Sequence, residues 1–202
     1  MKLSLFGIAA LLTGETEAKF GFGKCSTPTV TQNLDWDQFD GFWYETYTDW
    51  GNSVEWFWKC TTESYEQTDF NENIYKINTP FEIGWFSFTW AKNAQLYCGD
   101  TGDCRVNMLP FGSPDPEKKA NYFVIDTDND NFVIIYSCFH NYLAHMDNVW
   151  IMTREAHPSD DTKTLITNAL ENSSISHFKF DSWNFRTVTH DDTCEYDPTY
   201  VS

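Results

Sequence analysis

The sequence predicts an all-β fold: an antiparallel meander of eight strands closing as a barrel or a sandwich, followed by one amphipathic helix. Short runs rich in aromatic and β-branched residues, separated by Gly, Asn, Asp and Pro clusters, recur along most of the chain. Phe, Trp and Tyr make up 18% of the 202 residues, more than turns and surfaces need, so something large and apolar is enclosed. Helical periodicity of any length is confined to one stretch after Pro158.

The chain opens with MKLSLFGIAALLTGETEA, in which Lys2 precedes an apolar run from Leu3 to Leu12 and a small-residue exit at Ala18. That pattern is a secretory signal peptide over 1–18, too short for a membrane span, and it leaves 19–202 as one domain destined for secretion. LDWDQFD at 34–40 reads as one helical turn ahead of Gly41. A residue without Cβ suits a chain that leaves such a turn for a strand at a crowded end, and Trp43 then points inward as a floor. Strands are expected near 42–49, 56–68, 73–81, 84–97, 104–111, 120–128, 131–139 and 147–155, with a ninth near 176–188. GSPDPEKK at 112–119 is a polar turn. SDDTKTLITNALENSS then begins with a capping serine and early aspartates and sets Leu165, Ile166, Ala169 and Leu170 on one stripe. An eight-stranded barrel has no room inside for that stripe, so the helix packs outside.

Six cysteines follow the leader, and even parity in an oxidising compartment predicts three disulfides. Spacing singles out Cys98 with Cys104, which bracket GDTGD, as a staple on one tight turn. No Cys-x-x-Cys or His-x-x-x-His spacing occurs, so no metal site is expected. The net charge of −17 repels phosphates and anionic lipid heads, which argues against nucleic acid and membrane surfaces as partners. No stretch after the leader approaches the length of a membrane-inserted helix.

Gly41-x-Trp43 near the start, Thr127-Asp128 in the turn of FVIDTDNDNFVIIYSC, Arg154 closing WIMTRE and a helix next form an ordered set. In that order the combination resembles the lipocalin family, over about residues 24–196. The resemblance implies an eight-stranded antiparallel up-and-down β-barrel, closed at one end and open at the other, with one C-terminal α-helix packed outside. It implies that Arg154 lies across Trp43 at the closed end, where Gly41, Trp43 and Arg154 are structural. The cysteine positions, with GKC at 23–25 and YSC at 136–138, are similar to the crustacyanin, apolipoprotein D and bilin-binding branch of the family. That branch implies Cys25–Cys138 and Cys60–Cys194, with Cys98–Cys104 as this chain's addition.

Strand alternation then assigns the lumen. With Trp43 inside, Glu45 and Tyr47 follow it; with Arg154 over Trp43, Met152 and Trp150 face in. With Cys138 tied to the N-terminal arm, Phe132, Ile134 and Tyr136 lie outside under the helix, and Val133, Ile135 and Ser137 inside. Apolarity places Tyr75, Ile77, Phe81, Phe86, Phe88 and Trp90 in the lumen. The opposite register sets Phe86, Phe88 and Trp90 in water, which requires a partner surface, and crustacyanin-like proteins associate and hold chromophore between subunits. The expected ligand site is therefore Tyr47, Tyr75, Ile77, Phe86, Phe88, Trp90, Val133, Ile135 and Trp150. Such a lining suits a hydrophobic small molecule, a carotenoid or a bilin such as biliverdin, for transport, storage or coloration. Homo- or hetero-oligomers go with that expectation.

Competing readings are weaker. Asp126, Asp128 and Asp130 alternate like a calcium loop, but Asn131 stands where glycine is needed and Ser137 where glutamate should clamp. His140 and His145 read as loop residues near the mouth. A carboxylate inside the barrel, Glu45, needs a cation, Lys59 or an arginine, or recruits a cationic ligand, as in amine-sequestering lipocalins. An enzyme acting on a lipid or carotenoid is the other alternative; no triad, phosphate-loop or nucleotide motif supports it, and all six cysteines have partners. Asn172-Ser173-Ser174 is a glycosylation sequon at the far end of the helix.

Overall fold

Alternation between large apolar and small polar residues gives strands that bury one face each way, and the chain folds as that pattern requires. The computed structural model describes residues 20–25, 27–32, 34–52, 55–69, 74–83, 86–98, 101–108, 120–140 and 143–196. The leader at 1–18 and the turn at 112–119 lie outside them. The elements are β1 (Phe20–Phe22), α1 (Trp36–Phe39), β2 (Gly41–Asp49), β3 (Trp58–Lys59), β4 (Thr62–Asp69), β5 (Ile74–Ile83), β6 (Phe86–Cys98), β7 (Asp103–Met108), β8 (Tyr122–Thr127), β9 (Phe132–His140), β10 (Ala144–Thr153), α2 (Asp160–Asn172) and β11 (Phe185–Thr187).

Strands β4 to β10 follow one another as antiparallel neighbours, β4 pairs with β2, and β10 returns to pair with β2. That last pairing closes the meander into the expected eight-stranded barrel; among the described residues β7 and β8 are joined at Asp103 with Phe123 and Cys104 with Tyr122. Three short strands are accessories: β1 lies on β10, β11 on β2, and β3 on β5.

Several boundaries differ from the sequence expectation. The strand expected over 56–68 is two strands, because Cys60 takes φ +55 and turns the chain between β3 and β4. The strand expected over 176–188 shrinks to β11, since the preceding residues form turns instead. Leu165, expected on the helix's apolar stripe, is 44% exposed; the buried residues of α2 are Thr162, Ile166, Ala169 and Leu170. Ser159 caps α2 by accepting the Thr162 N–H, and Asp160 and Asp161 occupy its first turn.

The interior divides into two clusters on opposite faces of the barrel wall. Outside, Phe132, Ile134, Tyr136, Val149 and Ile151 pack with Ile166, Ala169 and Leu170 of α2 and with Phe178 and Phe185 of the C-terminal segment. Inside, Phe39, Trp43, Tyr65, Ile77, Leu96, Val124, Val133, Ile135 and Met152 pack together. The three disulfides are Cys25–Cys138, Cys60–Cys194 and Cys98–Cys104. The first two, spanning 113 and 134 residues, tie the N-terminal arm and the C-terminal tail to the wall, each for roughly 3–5 kcal/mol in the loop-entropy account.

Candidate ligand site inside the barrel

The closed end is built from the first motif. Asp35 caps α1 by accepting from Asp37 N and Gln38 N, and the single turn delivers Phe39 into the barrel end. There Phe39 meets Tyr65, ring centroids 4.6 Å apart, and its carbonyl accepts the indole N–H of Trp43 at 2.9 Å. Gly41 follows with φ +96, a left-handed torsion that side chains with a Cβ rarely adopt. The space around it is open, since an added Cβ would meet nothing nearer than Arg154 Nη1 at 3.6 Å. Torsion, not crowding, is therefore why glycine stands there.

Arg154 seals this floor. Its guanidinium carbon lies 3.7 Å from the Trp43 ring centroid, and its nitrogens donate to the carbonyls of Phe42 at 2.7 Å, Asp40 at 3.1 Å and Gln38. The Thr127-Asp128 turn braces the same corner. Asp128 accepts from the backbone N–H groups of Asp130, Asn131 and Phe132 and from the Asn131 side chain, Asn129 accepts from Asp35 N, and Asn131 O accepts from Arg154 N. Burial alone would raise the Asp128 carboxyl, but these donors outweigh it and hold the group below the usual carboxylate range.

Above the floor, Trp43 and Glu45 point inward and Glu45 is 1% exposed. Tyr47 does not follow them. The β2–β10 register pairs Met152 with Glu45 but Ile151 with Tyr47, leaving Thr46 as an extra residue. That bulge swaps the faces, so Thr48 stands opposite Trp150, and Tyr47 packs outside against Phe180 with ring centroids 4.8 Å apart. Strict alternation, which placed Tyr47 in the lumen, fails at this bulge. Ile77, Val133, Ile135 and Trp150 lie with the inner cluster. Tyr75 is opposite Leu96, Trp90 opposite Phe81 and Phe86 opposite Ile83 in the β5–β6 register, and Phe88 lies on β6; the side chains of Tyr75, Phe86, Phe88 and Trp90 lie outside the described residues.

The inner wall also carries polar groups. The Tyr65 hydroxyl donates to Glu63, contacts the Tyr122 hydroxyl at 2.5 Å and lies 4.0 Å from Met152 Sδ. Burial, and then the charge of Glu63, pushes both phenols well above the ordinary tyrosine range, so they are neutral hydrogen-bonding groups. Higher up, Glu55 Oε2 accepts the Trp150 indole N–H at 3.0 Å and the Asn52 amide. Arg186 of β11, 8% exposed, donates to the carbonyls of Glu55 and Trp58. Burial lowers its pKa while the negative charges of Glu45 and Glu55 oppose the shift, so the arginine is a cation near enough to interact electrostatically with the buried Glu45. Lys59, the other candidate, pairs with Glu82 at 3.2 Å. Trp58 stacks on Phe81 with centroids 3.7 Å apart and planes 15° from parallel, adding an apolar platform beside these charges.

Glu55, Trp58, Tyr65, Tyr122 and Arg186 are inner-wall residues that strand alternation did not single out. The aromatic ones carried a signal in composition. Arg186 carried none, because it enters from the C-terminal tail through three residues of strand.

The comparisons with known proteins agree with this architecture. No family model matches the chain. Mouse apolipoprotein D is 27% identical over 182 residues, covering 87% of this chain and 89% of that protein. The bilin-binding protein of Pieris brassicae is 25% identical over 171 residues, covering 83% and 87%. Among solved structures, insecticyanin of the tobacco hornworm Manduca sexta superposes with a TM-score of 0.67 at 21% identity, covering 88% of this chain and 92% of that one. Lobster apocrustacyanin A1 superposes with a TM-score of 0.63 at 18% identity, covering 89% and 96%. A barrel closed by β10 on β2, a Trp43 floor under Arg154 and an outer helix are the lipocalin fold, and the chain resembles the apolipoprotein D, bilin-binding protein and crustacyanin branch of that family.

Proposed function

We propose that the protein binds a hydrophobic small molecule inside the barrel and acts as a secreted carrier, not as an enzyme. The observation that carries this reading is a barrel sealed at one end by Trp43 and Arg154, with an inner face of aromatic and aliphatic residues. The similarity to a bilin-binding protein supports a flat conjugated ligand, a bilin such as biliverdin or a carotenoid, held by desolvation and ring stacking. The three disulfides support secretion, and with every cysteine paired there is no free thiol for nucleophilic catalysis. Among the described residues no helix is long and apolar enough to cross a membrane. The exposed Trp50, Trp56, Phe57 and Trp183 offer apolar surface for association between subunits, the oligomers expected of a pigment carrier.

One observation favours a second reading. Glu45 and Glu55 are buried on the inner side and Glu63 reaches the same wall, an acidic set that suits a small amine. Recombinant chain refolded with its disulfides and titrated with biliverdin, a carotenoid and a biogenic amine separates the readings. A shifted visible absorption band with micromolar or tighter affinity supports the pigment; calorimetric heat with the amine alone supports the second reading. Trp150→Ala is expected to weaken pigment binding by up to about tenfold, the worth of one aromatic contact. Binding of neither class by folded protein would overturn both.

A further inference from the structure

We infer that Asn172 is an N-glycosylation site, filled before the N-terminal arm engages the hydroxyl of its sequon; the inference rests on the secretory routing proposed above. Asn172-Ser173-Ser174 is the one Asn-x-Ser/Thr sequence in the chain. Asn172 is the last residue of α2 and is exposed to solvent. Its Nδ2 donates one hydrogen to the Asn168 carbonyl at 2.7 Å, which leaves the second hydrogen as the one a sugar replaces. Beside it a groove of about 410 Å³, bounded by Thr29, Val30, Ile125 and Asp126, lies open next to the sequon. Its volume is that of a small-molecule site, about 300–1,000 Å³, which is room for the first sugar.

The transfer balances simply. A polyprenyl diphosphate-linked oligosaccharide is the donor; the sugar C1–O bond to the diphosphate breaks, the C1–Nδ2 bond forms, the amide loses one proton and the lipid diphosphate leaves. The transferase reads the hydroxyl of the third sequon residue, and here the fold occupies that hydroxyl. Ser174 Oγ accepts from Thr29 N at 2.9 Å and donates to Thr29 O at 3.4 Å, a contact between residues 145 apart in the chain. Cys25–Cys138 holds the same arm against β9. Ser174 itself stays exposed, but once arm and disulfide are in place its hydroxyl is tied to the Thr29 backbone, so the sugar is added before that contact forms.

The full chain, expressed with its leader in a eukaryotic secretory host, tests this by peptide mass spectrometry after amidase release of N-glycans. Conversion of Asn172 to aspartate is expected in the wild type, absent in N172Q and S174A, and retained in S173A, whose middle position is not read. Secreted, folded protein with an unmodified Asn172 overturns the site while leaving the secretory reading intact; protein that never reaches the medium overturns both. Microsomal membranes offered purified chain are expected to modify it when reduced and unfolded and to leave it bare when oxidised and folded. Equal modification of both forms overturns the role of the closing arm.

Discussion

The two faces of β9 differ in one respect that matters. Phe132, Ile134 and Tyr136 enter the outer cluster beneath α2, where the neighbours are aliphatic and aromatic and the tyrosine hydroxyl is discharged on Asp147 at 2.9 Å. Val133 and Ile135, one residue out of phase, enter the inner cluster, whose wall carries Glu45, Glu63, Tyr65, Tyr122 and Arg186 among its rings. An ordinary core has little reason to bury charge, because each unpaired polar atom costs a kcal/mol or more. The outer cluster holds the barrel together; the inner one carries groups that stability alone does not call for.

The largest expected effect breaks the outer face. Ile134→Ala removes a fully buried side chain between β9 and α2 and is expected to cost about 2–5 kcal/mol in urea denaturation while leaving pigment affinity unchanged within about twofold. Loss of binding in protein that is still folded would show that the two faces are not separable.

Next comes the floor they share. Arg154→Ala leaves the carbonyls of Gln38, Phe42 and Asp40 without their donor and Trp43 without its cation, an expected cost of about 1–3 kcal/mol. Arg154→Lys keeps the charge but not the planar fork, so rescue should be incomplete. Gly41→Ala places a Cβ on a residue with φ +96, for about 1–2 kcal/mol, and calorimetric melting should register it even though the space is open.

Most of this frame was legible in the sequence, because periodic patterns and torsional demands are local. Gly41 marks the entry to the first barrel strand, although its left-handed torsion and not the expected crowding requires it, Thr127-Asp128 marks a turn, and the phase of β9 sorts Ile134 from Ile135. The inner wall was less legible where a single residue shifts phase or a distant one intrudes. The Thr46 bulge sends Tyr47 outside, and no residue type marks where a bulge falls. Cys60 breaks a strand because its backbone turns left-handed there. Arg186 comes from the tail and its charge bears on that of Glu45, a proximity set by the fold and not by spacing.

The smallest expected effect sharpens the contrast through pH. His190 is buried beside β2, its Nε2 at 2.9 Å from the Glu45 carbonyl and its Nδ1 at 2.8 Å from the Tyr196 hydroxyl. A carbonyl only accepts, so Nε2 carries the proton and Nδ1 accepts from Tyr196 in the neutral ring. Burial lowers its pKa from 6.5, with the contact to Glu45 opposing. The unfolded chain therefore binds a proton more readily than the folded one between the two values, and stability present above about pH 6.5 is lost as pH falls toward the folded pKa. His190→Gln, which cannot take up a proton, should flatten this part of the stability profile in urea titrations at pH 5–7. An unchanged slope would assign the acid sensitivity of the inner wall to its carboxylates instead.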